Sequence, residues 1–222
     1  MTSMQPSERT AAARAEMLLR IRAAKNSQFS IHQAGVEWQQ IPRHYGHPAR
    51  PDEEMLQLFA DRLRDYDAQV ERISDTALTA TIVRILAQRG HPRMLAPAGI
   101  PPELLSLYPF TIDQNDHTAA ELDRFEGVLT TATLAIAETG TIVLQNVPGQ
   151  GRRALTLVPD FHLCLVNTSD VVDSVPAAFA RLTATATLPT TFVSGPSATA
   201  DIEMTRIKGV HGPRFLHVLL ID

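Results

Sequence analysis

Three short segments of this 222-residue chain combine reactive side chains with glycine. In segment 135–141, AIAETGT, an apolar run delivers the Glu138 carboxylate and the Thr139 and Thr141 hydroxyls to Gly140. Glu138 is a candidate acid/base, nucleophile or ligand anchor. Gly140 lets the backbone approach a ligand or take positive φ. The plain alternative is a hairpin with a solvated glutamate at its tip. Segment 194–203, SGPSATADIE, offers the hydroxyls of Ser194, Ser197 and Thr199, with room left by Gly195 and Pro196. It follows a strand-like run, and ligands of parallel sheets gather where strands end. Asp201 and Glu203 oppose a bare anion, so a hydroxyl or a counter-cation must fit there too. The alternative is a turn capped by Ser197 or Thr199. In segment 209–214, GVHGPR, Gly212 and its neighbours bend the chain around His211, the histidine best placed to titrate or to bind a ligand. A histidine satisfied by backbone is the alternative.

Fainter signals lie elsewhere. Gly149 to Arg153, GQGRR, sets Arg152 and Arg153 beside two glycines, a composition suited to anions. A strand rather than a helix is expected after it, so it is not a dinucleotide fingerprint. His44 and His47 have metal-like spacing without companion ligands, and no metal site is assigned. His32, His91, His117, His162 and His217 carry no such context. Cys164, the single cysteine, sits in an apolar run and reads as a small buried hydrophobe. One thiol makes no internal disulfide and holds no iron–sulfur cluster alone.

The elements that position these segments follow from periodicity. A helix is expected over 11–24, with Ala13, Met17, Leu18 and Ile21 on one stripe that must dock on this domain or on a partner. Residues 26–51, with Pro42, Pro48 and Pro51, read as a connector. Asp52 caps a second helix, 53–64. From 68 onward the chain alternates: strand 68–73, helix 75–89, strand 93–96, helix 116–125, strands 154–158 and 162–166, helix 170–182, and strands 190–193 and 217–221. Between these, 133–138 and 141–145 form an antiparallel hairpin. The pattern predicts an α/β fold: a mixed, largely parallel open sheet with flanking helices, residues 68–222, behind an N-terminal helical extension and connector, residues 1–67.

Composition narrows the function. Hydrophobic residues make up 44% and charged residues 20%, the proportions of a globular domain, and the net charge of -4 favours neither nucleic acid nor an anionic membrane. No apolar stretch approaches the ~20 residues that span a bilayer. No signal-peptide core opens the chain, so a cytoplasmic location is the default expectation.

Taken in order, AIAETGT at 135–141, LVPD-FH around 157–162, SGPSATADIE at 194–203 and GVHGP at 209–213 resemble the LUD-domain family of bacterial lactate-utilization proteins, in its C (LutC/YkgG) type. The resemblance covers roughly residues 68–222. It implies a sheet similar to the NagB/RpiA/CoA-transferase group. It also implies a role in oxidising L-lactate to pyruvate beside A- and B-type subunits that carry the iron–sulfur clusters, with no cofactor in this chain. The family positions carried over are Glu138, Thr139, Gly140 and Thr141; Ser194, Gly195, Pro196, Ser197, Thr199, Asp201 and Glu203; and His211 and Gly212. Position 198, variable or basic in relatives, is Ala here. An anion would therefore need Arg152, Arg153 or Arg214. Two other readings stand beside this one. One is a free-standing CoA-transferase-like enzyme with Glu138 as nucleophile or acid/base. The other is a regulatory module that binds a small carboxylate without chemistry. Whether the chain is catalytic alone is open.

Overall fold

The computed structural model describes residues 6–24, 31–42, 50–199, 207–208 and 212–222. Contacts divide the chain into two units, residues 1–45 and 46–222. The first holds helices α1 (Pro6–Ala24) and α2 (Ile31–Gln40). Met17, Leu18 and Ile21 of the expected stripe are exposed. Helix α2 occupies part of the expected connector, where Gly35 interrupts the apolar period. No helix among the described residues is long and apolar enough to cross a membrane.

The second unit runs α3 (Asp52–Asp65), β1 (Gln69–Ile73), α4 (Leu78–Gln88), β2 (Met94–Pro97), α5 (Pro102–Leu105), β3 (Thr111–Asp113), α6 (Ala119–Leu122) and β4 (Gly127–Thr131). It continues with β5 (Leu134–Ile136), β6 (Thr141–Gln145), β7 (Phe161–Asn167), β8 (Val171–Val172), α7 (Val175–Leu182), β9 (Thr190–Val193), β10 (Ala198–Thr199), β11 (Ile207–Lys208) and β12 (Phe215–Ile221). Six strands in the order β1-β12-β7-β4-β2-β3 form one sheet, parallel at every pairing. The expected hairpin forms, with Ala135 opposite Ile142 and Ile136 opposite Thr141, but in a second, four-stranded sheet, β8-β5-β6-β9. Strands β5 and β6 are apolar on both faces. Ala135, Ile142 and Leu144 look one way, and Leu134, Ile136 and Val143 the other.

That alternation builds the layers. Helix α3 buries Leu56, Phe59, Ala60 and Leu63 with the inner face of the second sheet, against Cys164, Val166, Leu216, Val218 and Leu220 of the parallel sheet. Truncating the fully buried Phe59 to alanine would cost about 3–5 kcal/mol. Helix α4 packs Ile82, Ile85 and Leu86 on the opposite face, against Leu129, Leu163, Leu165 and Leu219. Helix α7 covers the outer face of the second sheet with Ala178 and Leu182. Helix α3, counted with the extension on sequence grounds, thus packs into the α/β core.

Several local expectations are corrected. Segment 154–158 is not a strand: Arg153–Thr156 forms a 3-10 turn. Leu155 and Val158, three residues apart, both turn toward Leu95, Leu122 and Val128, a spacing that suits the tighter helix and not a pleat. The helix expected over 116–125 is the single turn α6, which starts where Thr118 closes a capping box with Glu121. The helix expected from 170 starts at Val175, set by Pro176 in its first turn. Asp52 lies inside α3 rather than capping it, and Pro51 holds the cap position.

Candidate functional site

Strand β9 runs antiparallel to β6, with Val193 opposite Ile142, and brings the serine turn to the hairpin. A hydroxyl chain joins them: Thr139 Oγ1 lies 2.7 Å from Thr141 Oγ1, which lies 2.7 Å from Ser194 Oγ. The turn then meets the last loop, where the Ser197 amide donates to the Pro213 carbonyl at 2.8 Å. A side chain on Gly212 would come within 3.3 Å of Ser197 Cβ. Ser194, Gly195, Pro196, Ser197, Gly212 and Pro213 line one cavity of about 150 Å³. Arg153, Thr156, His162 and Leu216 contribute to its remaining wall.

The cavity does not sit where the parallel sheet ends. His162 and Leu216 stand near the starts of β7 and β12, while Ser194 follows the end of β9, which belongs to the other sheet. The expectation of a site after a parallel strand is therefore corrected. The junction of two sheets makes this pocket.

His162 is buried, and its Nε2 lies 2.8 Å from Thr130 Oγ1. The Thr130 hydroxyl is 3.7 Å from Cys164 Sγ as donor, and the Cys164 thiol in turn faces the Thr131 carbonyl. With the Thr130 hydroxyl donating to Cys164, the assignment that satisfies the chain places the proton on Nε2 and leaves Nδ1 as the acceptor. Burial, with the Arg153 charge second, pushes the His162 pKa down to about 4, so the ring is neutral at pH 7. Burial pushes the Cys164 thiol up to about 12, which removes it as a nucleophile. Arg153 gives one Nη to the Thr156 carbonyl and hydroxyl at 3.0 and 2.9 Å. Desolvation lowers its pKa from the usual arginine range, yet it stays a cation.

The other sequence candidates separate. Glu138 is exposed at the hairpin tip, outside the cavity lining, with its amide donating to the Asp173 carbonyl. Gly140, at φ 59°, is explained by packing: a Cβ there would stand 2.7 Å from Arg62 Cβ. Gly195, at φ 82°, is pressed by the same end of α3, where a Cβ would collide with that of Tyr66. Arg152 turns away to Asp113, at 3.1 Å, and to the His117 carbonyl. Arg214 is held by Asp160 at 2.6 and 2.7 Å. Of the three arginines considered for an anion, only Arg153 lines this cavity. Thr199 lies on β10. Asp201, Glu203, His211, His44 and His47 lie outside the described residues.

A family model described as the LUD domain matches residues 46–221. This chain belongs to that family. It is 42% identical over 171 residues to a lactate utilization protein C of Deinococcus radiodurans, covering 76% of this chain and 80% of the relative. It is 24% identical over 209 residues to a lactate utilization protein C of Macrococcus caseolyticus, covering 86% and 88%. Among solved structures, the crystal structure of a DUF162 family protein from Deinococcus radiodurans superposes with a TM-score of 0.66 at 34% identity, covering 78% of this chain and 99% of that one.

In this LUD domain the residue that sequence reasoning passed over is His162. A signal was available: it is the one basic side chain in the otherwise apolar run FHLCLV, at the edge of the segment that carries the family likeness.

Proposed function

We propose that this chain is the cluster-free subunit of a lactate-utilization system that oxidises L-lactate to pyruvate, and that its cavity holds a small 2-hydroxy or 2-keto carboxylate. The observation that carries the reading is the pairing, on one wall, of the Arg153 cation with a neutral acceptor histidine, His162. The Arg153 donors not tied to Thr156 suit one carboxylate. His162, held as an Nδ1 acceptor by Thr130, suits a hydroxyl donor. Ser194 and Ser197 supply further donors and acceptors at the rim. A volume of about 150 Å³ fits a three-carbon acid. The names of the Deinococcus and Macrococcus relatives support the same assignment. Oxidation of lactate releases two electrons and two protons, and iron–sulfur subunits of the A and B types would supply the electron acceptor. Here the chain's own residues bind and orient the acid.

The test has two arms. Deleting the gene should abolish growth on L-lactate as sole carbon source, with growth restored by the wild-type chain; a deletion strain that grows normally overturns the role. In calorimetry, pyruvate or L-lactate should bind the wild-type chain, and Arg153→Gln should weaken binding about tenfold or more. Equal binding by both proteins removes the cavity from the reading.

A further inference from the structure

A second recess opens on the other face of the same strands. Phe161 and Phe215 are the first residues of β7 and β12 and are paired in register. The alternation that turns His162 and Leu216 into the cavity turns these two rings to the side of α4. There they floor a groove of about 500 Å³, lined also by Arg89, Arg93, Arg124 and Arg214. Two of these arginines are spent. Arg93 pairs with Glu126 at 3.2 Å, and Arg214 pairs bidentately with Asp160.

Arg89 is different. Just past the end of α4, its guanidinium lies 3.8 Å from the Phe161 ring centre and 4.7 Å from that of Phe215. No carboxylate among the described residues hydrogen-bonds it, and Asp160, whose charge acts on it, is already committed to Arg214. Stacking fixes the plane of the guanidinium and leaves its edge N–H groups for a ligand. Arg124 is the second cation on the groove without a pairing carboxylate hydrogen bond among the described residues; the charge of Glu121 reaches it from outside the groove, and of the acids lining the groove Asp123 is the one not paired with Arg93 or Arg214. Stacking alone would account for Arg89 as cover for an apolar sheet edge. It does not account for two arginines on the walls of one groove, neither held by a carboxylate hydrogen bond among the described residues.

We infer that this groove is a second, separate binding site, for a small molecule bearing a phosphate. A doubly charged oxyanion can engage both Arg89 and Arg124 and still tolerate Asp123, whereas a monocarboxylate satisfies one cation and leaves the other unanswered. Phe125, Val158 and Phe215 give an apolar body a surface to lie on.

The test uses the full-length chain with phenyl phosphate and inorganic phosphate, followed by calorimetry. Phenyl phosphate should bind more tightly than inorganic phosphate. Arg89→Gln and, separately, Arg124→Gln should each weaken it about tenfold or more, while Arg153→Gln leaves it unchanged. No heat with either compound at millimolar concentration overturns the site. So does binding that Arg153→Gln abolishes and both groove variants retain. Equal affinity for the two compounds overturns the apolar subsite. Arg124, on the surface, keeps the test valid should Arg89→Gln fail to fold.

Discussion

Replacing His162 with glutamine should flatten the acid side of the stability curve. In the folded chain burial holds this imidazole at about 4, against 6.5 for an unperturbed histidine. The unfolded chain therefore binds a proton between those values that the folded chain refuses. Stability rises with pH across that window and is lost as pH falls through it. From pH 7 to pH 5, linkage takes away about 2 kcal/mol through this one ring. The depressed carboxylates of Asp113, Asp160 and Glu126 act in the same direction but in a lower window: their contribution is present above the ordinary carboxylate value and is lost only at lower pH, as each is protonated. They leave the window from 7 to 5 nearly flat. His217, lowered chiefly by burial, moves the same way as His162, so the comparison must be with the variant and not with a neutral slope. Urea unfolding followed by far-ultraviolet circular dichroism at half-unit pH steps would measure it. Glutamine keeps a donor for Thr130 and removes the titration. The wild-type curve should fall about 2 kcal/mol further than that of His162→Gln between pH 7 and 5. Parallel curves would refute the burial argument and, with it, the neutral ring at the cavity wall.

Two further substitutions test the frame around the site. Gly195→Ala drives a methyl group into Tyr66 Cβ at a positive φ, whereas Gly90→Ala, at φ 79°, meets nothing within 4 Å. Both should lose the roughly 1 kcal/mol of left-handed strain, and Gly195→Ala about 2 kcal/mol more, seen as a lower urea midpoint. Asp113→Ala leaves Arg152 beside an empty place in a site where the carboxylate is 1% exposed. Burial alone would raise the Asp113 pKa, but hydrogen bonds from Arg152 and His117 outweigh it and hold it below the usual range. The loss should be about 3 kcal/mol at pH 7, shrinking as pH falls and the wild-type carboxylate is protonated; an unchanged midpoint at pH 7 would show the pair to be idle.

The sequence displayed some of this arrangement and concealed the rest for physical reasons. The hairpin was legible because two apolar runs, 133–138 and 141–145, flank a tight Thr139-Gly140 element. That Gly140 serves a neighbouring helix was not legible, since the contact with Arg62 spans nearly eighty positions of chain. The serine turn and the Gly212 loop were visible as candidates by composition, and they share a wall because β9 joins β6 and the Ser197 amide reaches Pro213. Glu138 attracted attention by its chemistry, but an exposed tip carries it away from the cavity. His162 was hidden by the opposite effect: an apolar run masks the one basic member that faces a pocket. Strand β3 escaped because three residues, Thr111–Asp113, are too few to establish a period.

The beginnings of β7 and β12 have a consequence for how this region can change over time. Phe161 serves one compartment and His162 the next, and the same division holds for Phe215 and Leu216. A one-residue slip in the pairing register of either strand would exchange the occupants, for β7 sending the imidazole outward and a benzyl group into the small chamber. Point substitutions can tune each compartment separately, whereas a register slip in either strand alters both at once.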